Sequence, residues 1–302
     1  MNKQILITGA TGMVGKKLIF RLQKAGHQVS ILSRTPKKIK DVRVFLWDVS
    51  KGSIDKDCLN GIDTIVHLAG ENIAGKLWSE KQKKEIIDSR VQSTALLYRA
   101  IQESKSSVKN FISASAVGYY GDCGDEILTE ETPGGFGFMA ECCRLWEQSV
   151  DAGKVLGLRV VKLRIGIILA KDQGALAALA RPIRFFAGAP LGSGKQWMPW
   201  IHLHDIVSLF VSAIENPIMQ GAYNACAPFP VTNTTLTKAV AARLHRPVWP
   251  IHVPEKIIRL LLGEMSNVIF ISTNTSAEKI LETDFKFKYT QLNEALTDIY
   301  KA

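Results

Sequence analysis

Short apolar, β-branched runs recur along the chain, and apolar residues at helical spacing fall between them. Ile5, Leu6 and Ile7 form the first run and read as a buried strand. Gly9-Ala10-Thr11-Gly12-Met13-Val14-Gly15 follows, and then Leu18, Ile19 and Leu22 recur at helical spacing. A second run, Val29 to Leu32, comes after the turn at Gly26. Strand, glycine turn, helix and strand make one parallel crossover unit. Val42 to Trp47 predicts a third strand ending at Asp48, and Ile62 to Gly70 a fourth that enters a small-residue turn. His67 lies inside that apolar run and reads as a packed core histidine. A charged helix over Ser79–Ser104 carries Ile86, Ile87, Val91 and Leu97 on its apolar face. Asn110–Ser115 and Leu158–Ile165 complete six strands. The alternation predicts an α/β fold built on a doubly wound parallel sheet. Ligands of such sheets lie at the carboxyl ends of the strands, which is where Gly9–Gly15, Asp48, Gly70–Trp78 and Ser113–Gly121 fall.

Composition narrows the picture. The 302 residues suffice for one large domain, or one domain with an appendage, and 46% hydrophobic with 22% charged residues is the balance of a globular protein. No apolar run reaches the length of a membrane span. The first strand begins almost at Met1, leaving no room for a signal peptide, and the five cysteines show no Cys-x-x-Cys spacing. The expected location is therefore cytoplasmic. The net charge of +10 includes clusters at Lys37, Lys38 and Lys40 and at Lys81, Lys83 and Lys84. No aromatic-studded basic stripe accompanies them, so nucleic acid is not an expected partner. The charge fits a solvated basic surface or an anionic small-molecule substrate.

The glycines of the first turn have separate tasks. Gly9 permits the sharp turn, Gly12 lets backbone N–H groups approach a pyrophosphate, and Gly15 allows close helix packing against the sheet. Thr8 to Gly15, with its Gly-x-x-Gly-x-x-Gly spacing, resembles the nucleotide fingerprint of the extended short-chain dehydrogenase/reductase superfamily. Leu68-Ala69-Gly70-Glu71, Ser113 to Gly121, Trp200-Ile201-His202 with Asp205, and the tail from Pro250 to Leu296 resemble the atypical "epimerase family" subgroup. Its tail is a small C-terminal domain of unknown function. One departure is local: Thr273 to Ala277 replaces an expected basic, proline-containing stretch.

The resemblance implies a Rossmann dinucleotide domain over residues 1–245, with interleaved cleft segments, and a small C-terminal domain over 246–302. The implied cofactor residues are Gly9, Thr11, Gly12, Met13, Val14, Gly15, Ser33, Arg34, Leu68, Ala69 and Gly70. Asp48 stands where relatives contact the adenine, or simply ends a strand. The second strand ends Ile31-Leu32-Ser33-Arg34 with no acid nearby, which predicts NADP(H) over NAD(H). A carboxylate would bond the ribose 2′-hydroxyl, whereas a guanidinium with Ser33, Lys37 or Lys38 would hold a 2′-phosphate.

Catalytic residues are harder to assign. Ordinary members use Ser or Thr, Tyr, and a Lys four residues after the Tyr. No tyrosine here has that lysine, and anchoring on Glu147 puts Met139 and Cys143 at the Tyr and Lys places. Ser115 matches the usual serine, Tyr119 or Tyr120 offers a substitute proton donor or a packed aromatic, and Glu71 and Arg90 are second-ranked, Arg90 as a carboxylate clamp. Arg164 with Gly166, and the segments Gly192–Lys195 and Pro250–Leu262, are expected to shape the cleft. His202 and His204 lack a third ligand at supporting spacing, so no metal is expected. Two functions remain open: an NADP(H)-dependent oxidoreductase or nucleotide-sugar-epimerase-like enzyme, and an NADP(H)-binding sensor or scaffold without turnover. A homodimer is an open expectation.

Overall fold

The computed structural model describes every residue except Met1, Lys105 and Ala302. Its main sheet contains β1 (Gln4–Thr8), β2 (Gln28–Ser33), β3 (Arg43–Asp48), β4 (Ser53–Ile54), β5 (Thr64–His67), β6 (Asn110–Ala116), β7 (Arg159–Ile165) and β8 (Gly221–Ala225). The strand order is β8-β7-β6-β5-β1-β2-β3-β4. All neighbours are parallel except β4, which runs antiparallel to β3. The order reverses between β1 and β5, and that reversal is the switch point where such sheets open a crevice.

Both faces of the sheet are covered, which is why β1 is a continuous apolar run. Ile5 and Ile7 pack on one side with α1 (Met13–Lys24) and a later helix, through Leu18, Leu22, Ile206 and Phe210. Leu6 points to the other side and joins Ile65, Leu97, Phe111 and Trp146. That side is covered by α2 (Glu80–Glu103) and α3 (Phe138–Asp151). Ser79 caps α2, its hydroxyl accepting from the Gln82 N–H at 3.2 Å.

The second half interleaves α4 (Gly174–Arg184), α5 (Leu203–Glu215), α6 (Asn233–Arg243), α7 (Glu255–Leu262) and α8 (Leu292–Ile299). α5 packs on α1, and β8 pairs with β7 in the main sheet. A third core joins Leu176, Trp200, Leu236 and Val240 to Leu292 and Leu296 of α8. Ile280 and Phe285 instead belong to the core beneath α1. A cut at 245/246 therefore does not separate two cores: the tail supplies side chains to both halves. Asp205 ties it down further, its buried carboxylate accepting from the N–H groups of Lys288 and Tyr289 at 3.0 and 2.9 Å.

Candidate functional site

At the switch point Thr8 of β1 meets His67 of β5. The Thr8 Oγ1 accepts from the N–H groups of Leu68 and Ala69 at 3.2 and 3.1 Å and lies 2.7 Å from His67 Nδ1. Because Thr8 is the acceptor for two amides, its own proton goes to Nδ1, and Nε2 donates to Ser93 Oγ at 3.0 Å. Burial, then the Arg90 charge, pushes the imidazole down to about 3. His67 is a neutral, fully bonded core residue that fixes where the loop after β5 leaves the sheet.

Gly9 has φ +65°, and a Cβ there would stand 2.5 Å from the Leu68 carbonyl carbon and oxygen. Two independent constraints thus require glycine. At Gly15 a Cβ would fall 2.6 Å from Ala10 Cα, so the close approach is to the glycine turn itself and not to the sheet as the sequence suggested. Gly12 opens α1 at φ −72°, with no side-chain cap on the helix and no acid in its first turn. The amides of Met13, Val14 and Gly15 are therefore first-turn donors without an intrahelical acceptor.

This turn forms one wall of a cavity of about 490 Å³ at the carboxyl ends of β1, β2, β3 and β5. Gly9, Thr11 and Gly12 line it, together with Ser33 and Arg34 after β2, and Leu68, Ala69, Gly70 and Glu71 after β5. Arg34 is exposed and makes no ion pair among the described residues. Lys37 lines the cavity too, whereas Lys38 does not. The Ser33 hydroxyl is already committed as a donor, to the Thr35 carbonyl at 2.7 Å.

Several sequence assignments change. Asp48 does not line the cavity; its carboxylate accepts from the Ser50 hydroxyl and from the Ser50 and Lys51 amides, closing a surface turn. Those bonds, the Ser50 hydroxyl foremost, hold it below the usual carboxylate range. Its neighbours Trp47 and Val49 face the cavity instead, as strand alternation dictates. Alternation from Asp48 was the signal that could have found them.

Arg90 is not free to clamp a carboxylate. Its Nη1 donates to the Ile86 carbonyl at 2.8 Å, its Nη2 to the Glu71 carbonyl at 3.2 Å, and its guanidinium lies 5.0 Å from the Trp146 ring. A Cβ on Gly70 would stand 3.1 Å from Arg90 Cζ, so Gly70 makes room for the arginine beneath the loop. Arg90 is a positioning residue. Glu71 lines the cavity at the Gly70 end, and its N–H donates to Ser89 Oγ at 2.9 Å.

Beyond β6 lies a buried polar cluster. The Ser115 hydroxyl donates to Glu147 Oε1 at 2.7 Å, and Arg164 holds the same carboxylate through Nε and Nη2 at 2.8 and 3.0 Å. Lys162 adds a contact of 3.2 Å. Tyr120 has no exposed surface. Its hydroxyl reaches Asn224 Oδ1 at 2.7 Å and the Thr129 carbonyl at 2.9 Å, and accepts from Arg164 Nη1 at 2.9 Å. With no exposed surface and its hydroxyl held by three internal partners, Tyr120 presents no proton to the cavity, and burial pushes the phenol up despite the arginine. Tyr119 is a packed aromatic, with the Arg164 guanidinium 3.6 Å over its ring. Arg164 is thus enclosed by the cluster and does not shape a pocket wall. Met139 and Cys143, one helical turn apart on α3, both face Gly118 and are both buried.

The described residues contain no group of three or more possible metal ligands, and no helix long and apolar enough to cross a membrane.

A doubly wound sheet whose first glycine turn opens on a cavity at the switch point defines a Rossmann-type protein of the extended short-chain dehydrogenase/reductase class. The model of the NAD dependent epimerase/dehydratase family matches residues 5–138, and that of a domain of unknown function, DUF1731, matches 253–299. The chain is 36% identical to the chloroplastic epimerase family protein SDR39U1 homolog of Arabidopsis thaliana, covering 98% of this chain and 86% of that one. It is also 36% identical to the epimerase family protein YfhF of Bacillus subtilis, over 98% and 97% of the two chains. The crystal structure of human epimerase family protein SDR39U1 with NADPH superposes with a TM-score of 0.87 at 27% identity, covering 99% of each chain. The chain belongs to this epimerase family.

Proposed function

We propose that the protein binds NADP(H) in the switch-point cavity and is an oxidoreductase or epimerase-like enzyme acting on a small molecule. The observation that carries the reading is the pairing of an uncapped, acid-free α1 N-terminus with an unpaired Arg34 across one cavity. The first suits a pyrophosphate and the second a 2′-phosphate. Among the relatives, the human structure is described as holding NADPH. Gly9, Thr11, Gly12 and the first-turn amides of Met13, Val14 and Gly15 would hold the phosphates. Arg34 and Lys37 would hold the 2′-phosphate, with Trp47 and Val49 against the adenine. Leu68, Ala69, Gly70 and Glu71 would border the rest. When bound, the reduced nicotinamide supplies a hydride. The Ser115 hydroxyl then has to leave Glu147 before it can give a proton to a carbonyl oxygen, because its hydrogen is committed there.

Titrating NADPH and NADH into the wild type and Arg34→Ala tests the cofactor. A hydrogen bond to a charged group contributes about 1.5–3 kcal/mol, so NADPH should bind roughly 10- to 150-fold more weakly and NADH almost unchanged. A wild type that prefers NADH, or equal losses for both, overturns the assignment.

A second reading, an NADP(H)-binding sensor without turnover, is favoured by one specific arrangement. Met139 and Cys143 occupy the places of the ordinary Tyr and Lys, and burial pushes the Cys143 thiol up. Tight NADPH binding with no oxidation across a broad carbonyl screen supports that reading; Ser115-dependent oxidation excludes it.

A further inference from the structure

A second cavity, of about 310 Å³, opens beside the N-terminus of α3. Trp78, Phe136, Phe138 and Phe270 supply its rings. Trp78 and Phe138 meet edge to face at 4.7 Å, and the Trp78 Nε1 is anchored on the Ile73 carbonyl at 2.8 Å. Phe136 is 97% exposed at the rim, and it follows Gly135 and precedes Gly137. An aromatic ring standing in water beside a pocket of rings gains burial when a flat ligand enters. Met139 lines the same cavity and covers Gly118, where a Cβ would meet its own Cβ at 3.3 Å. The cavity therefore abuts the loop after β6, three residues beyond Ser115.

The charges lining it are Asp122, Glu255 and Arg259, two carboxylates against one guanidinium. Arg259 is spoken for: its Nε donates to Glu255 at 2.6 Å and its Nη1 to Asn267 at 2.9 Å. Lys83, 5.8 Å from the Phe138 ring, is held by Glu80 and Glu264. A diphosphate entering here would meet no unpaired cation among the described residues, and it would meet Asp122. The volume also lies at the small end of ligand sites.

We propose that this cavity is the substrate subsite and takes a flat, conjugated carbonyl compound that is uncharged or cationic, not a nucleoside diphosphate sugar. The sign is opposite to the anionic substrate that the net charge suggested. The inference rests on the cofactor reading above, because a substrate subsite has meaning only beside a bound cofactor, and Met139 links this cavity to the segment that follows β6.

The experiment is binding, not turnover, on the full chain, both free and saturated with NADPH. The probes are acetylnaphthalene, its cationic analogue N-methylacetylpyridinium, the anionic isostere naphthoate, and UDP-glucose, followed by saturation-transfer NMR and titration calorimetry. Acetylnaphthalene and the pyridinium should bind, naphthoate at least tenfold more weakly than acetylnaphthalene. Phe136→Ala, which removes an exposed ring and so leaves folding intact, should weaken acetylnaphthalene about tenfold, and NADPH less than twofold. Phe270→Ala, which removes another lining ring, should repeat the loss. Failure of both flat probes to bind, naphthoate or UDP-glucose binding more tightly, or no effect of Phe136→Ala overturns the subsite. Loss of NADPH binding in the wild type overturns the cofactor reading instead, and the free-protein titrations still report on the cavity.

Discussion

Ser115 and Glu147 are joined by a 2.7 Å hydrogen bond between the end of β6 and the middle of α3. The same carboxylate also receives Arg164 and Lys162, so it serves three buried donors at once. Removing the two ends of the bond should therefore cost very different amounts. Ser115→Ala leaves a carboxylate that is still paired, and should lower unfolding free energy by about 1–2 kcal/mol. Glu147→Gln leaves the buried Arg164 facing no carboxylate, while Lys162 keeps Asp151 at 2.7 Å, and should cost about 3–5 kcal/mol. Urea denaturation of the two variants measures the difference; equal losses would mean the ion cluster contributes nothing.

Acid should act on the same cluster. Burial alone raises the Glu147 carboxyl, but the Arg164 bonds and charge, with Lys162 and Ser115, bring it below its usual 4.5. A depressed folded value means the stabilisation is complete above the unfolded value and is lost as pH falls through the folded one. Unfolding free energy should thus drop below about pH 4.5, and Glu147→Gln should flatten part of that limb.

His67 predicts a separate loss at milder pH. Its imidazole titrates at about 3 in the fold against 6.5 in the unfolded chain, so protons bind the unfolded state first. Stability from this group is complete above pH 6.5 and falls by about 1.4 kcal/mol for each unit below it. His202, which burial also pushes down, adds to the same limb. The decisive quantity is therefore a difference: between pH 6.5 and 5, His67→Leu should show a shallower slope than the wild type, whatever its starting level. Identical slopes would refute a neutral His67.

Gly9 and Gly12 should separate folding from ligand binding. Gly9→Ala meets both the left-handed φ of +65° and the Leu68 backbone at 2.5 Å, so it should destabilise the fold by about 2 kcal/mol or more. Gly12 has an ordinary φ, and its Cβ would meet a single atom, Gly9 O, at 3.2 Å. Gly12→Val should therefore melt within a few degrees of the wild type yet lose NADPH affinity at least tenfold. Thermal melts paired with NADPH titration distinguish the two, and a Gly12→Val that binds normally would remove the phosphate role from this turn.

Tyr120→Phe should behave as a structural change. The variant leaves Asn224 Oδ1 and one Arg164 nitrogen without the phenol, at a cost of about 1–3 kcal/mol. NADPH affinity, and any turnover found, should stay within a few-fold of the wild type once the protein is folded. A loss of several hundred-fold in turnover at full folding would return Tyr120 to the chemistry.

The sequence by itself determined the sheet, its parallel sense and the edge where ligands gather. Those follow from local rules: Ile5, Leu6 and Ile7 need two covered faces, and Gly9, with Gly12 and Gly15, permits a turn that other residues obstruct. The helix from Ser79 to Ser104 was legible in its extent, and Ile86 and Leu97 of its expected apolar face are buried, whereas Ile87 and Val91 are half-buried and the face turns instead through Leu96, Tyr98 and Ile101. What a polar side chain does was decided by tertiary structure. Arg90 and Tyr120 looked available for substrate, but partners elsewhere in the chain engage them: Glu71 and Trp146, besides the nearby Ile86, for the arginine, and Asn224 and Arg164 for the phenol. Asp48 was misplaced by one residue of strand alternation, which sent Trp47 and Val49 into the cavity and its own carboxylate to the surface. Of the ring-lined cavity the sequence pointed only to Trp78 and to the Pro250–Leu262 segment that carries Glu255 and Arg259; that Phe136, Phe138 and Phe270 join them was decided by the fold. Periodicity reports which way a residue faces; it carries no information about which distant residue it will face, and that pairing sets charge, pKa and access.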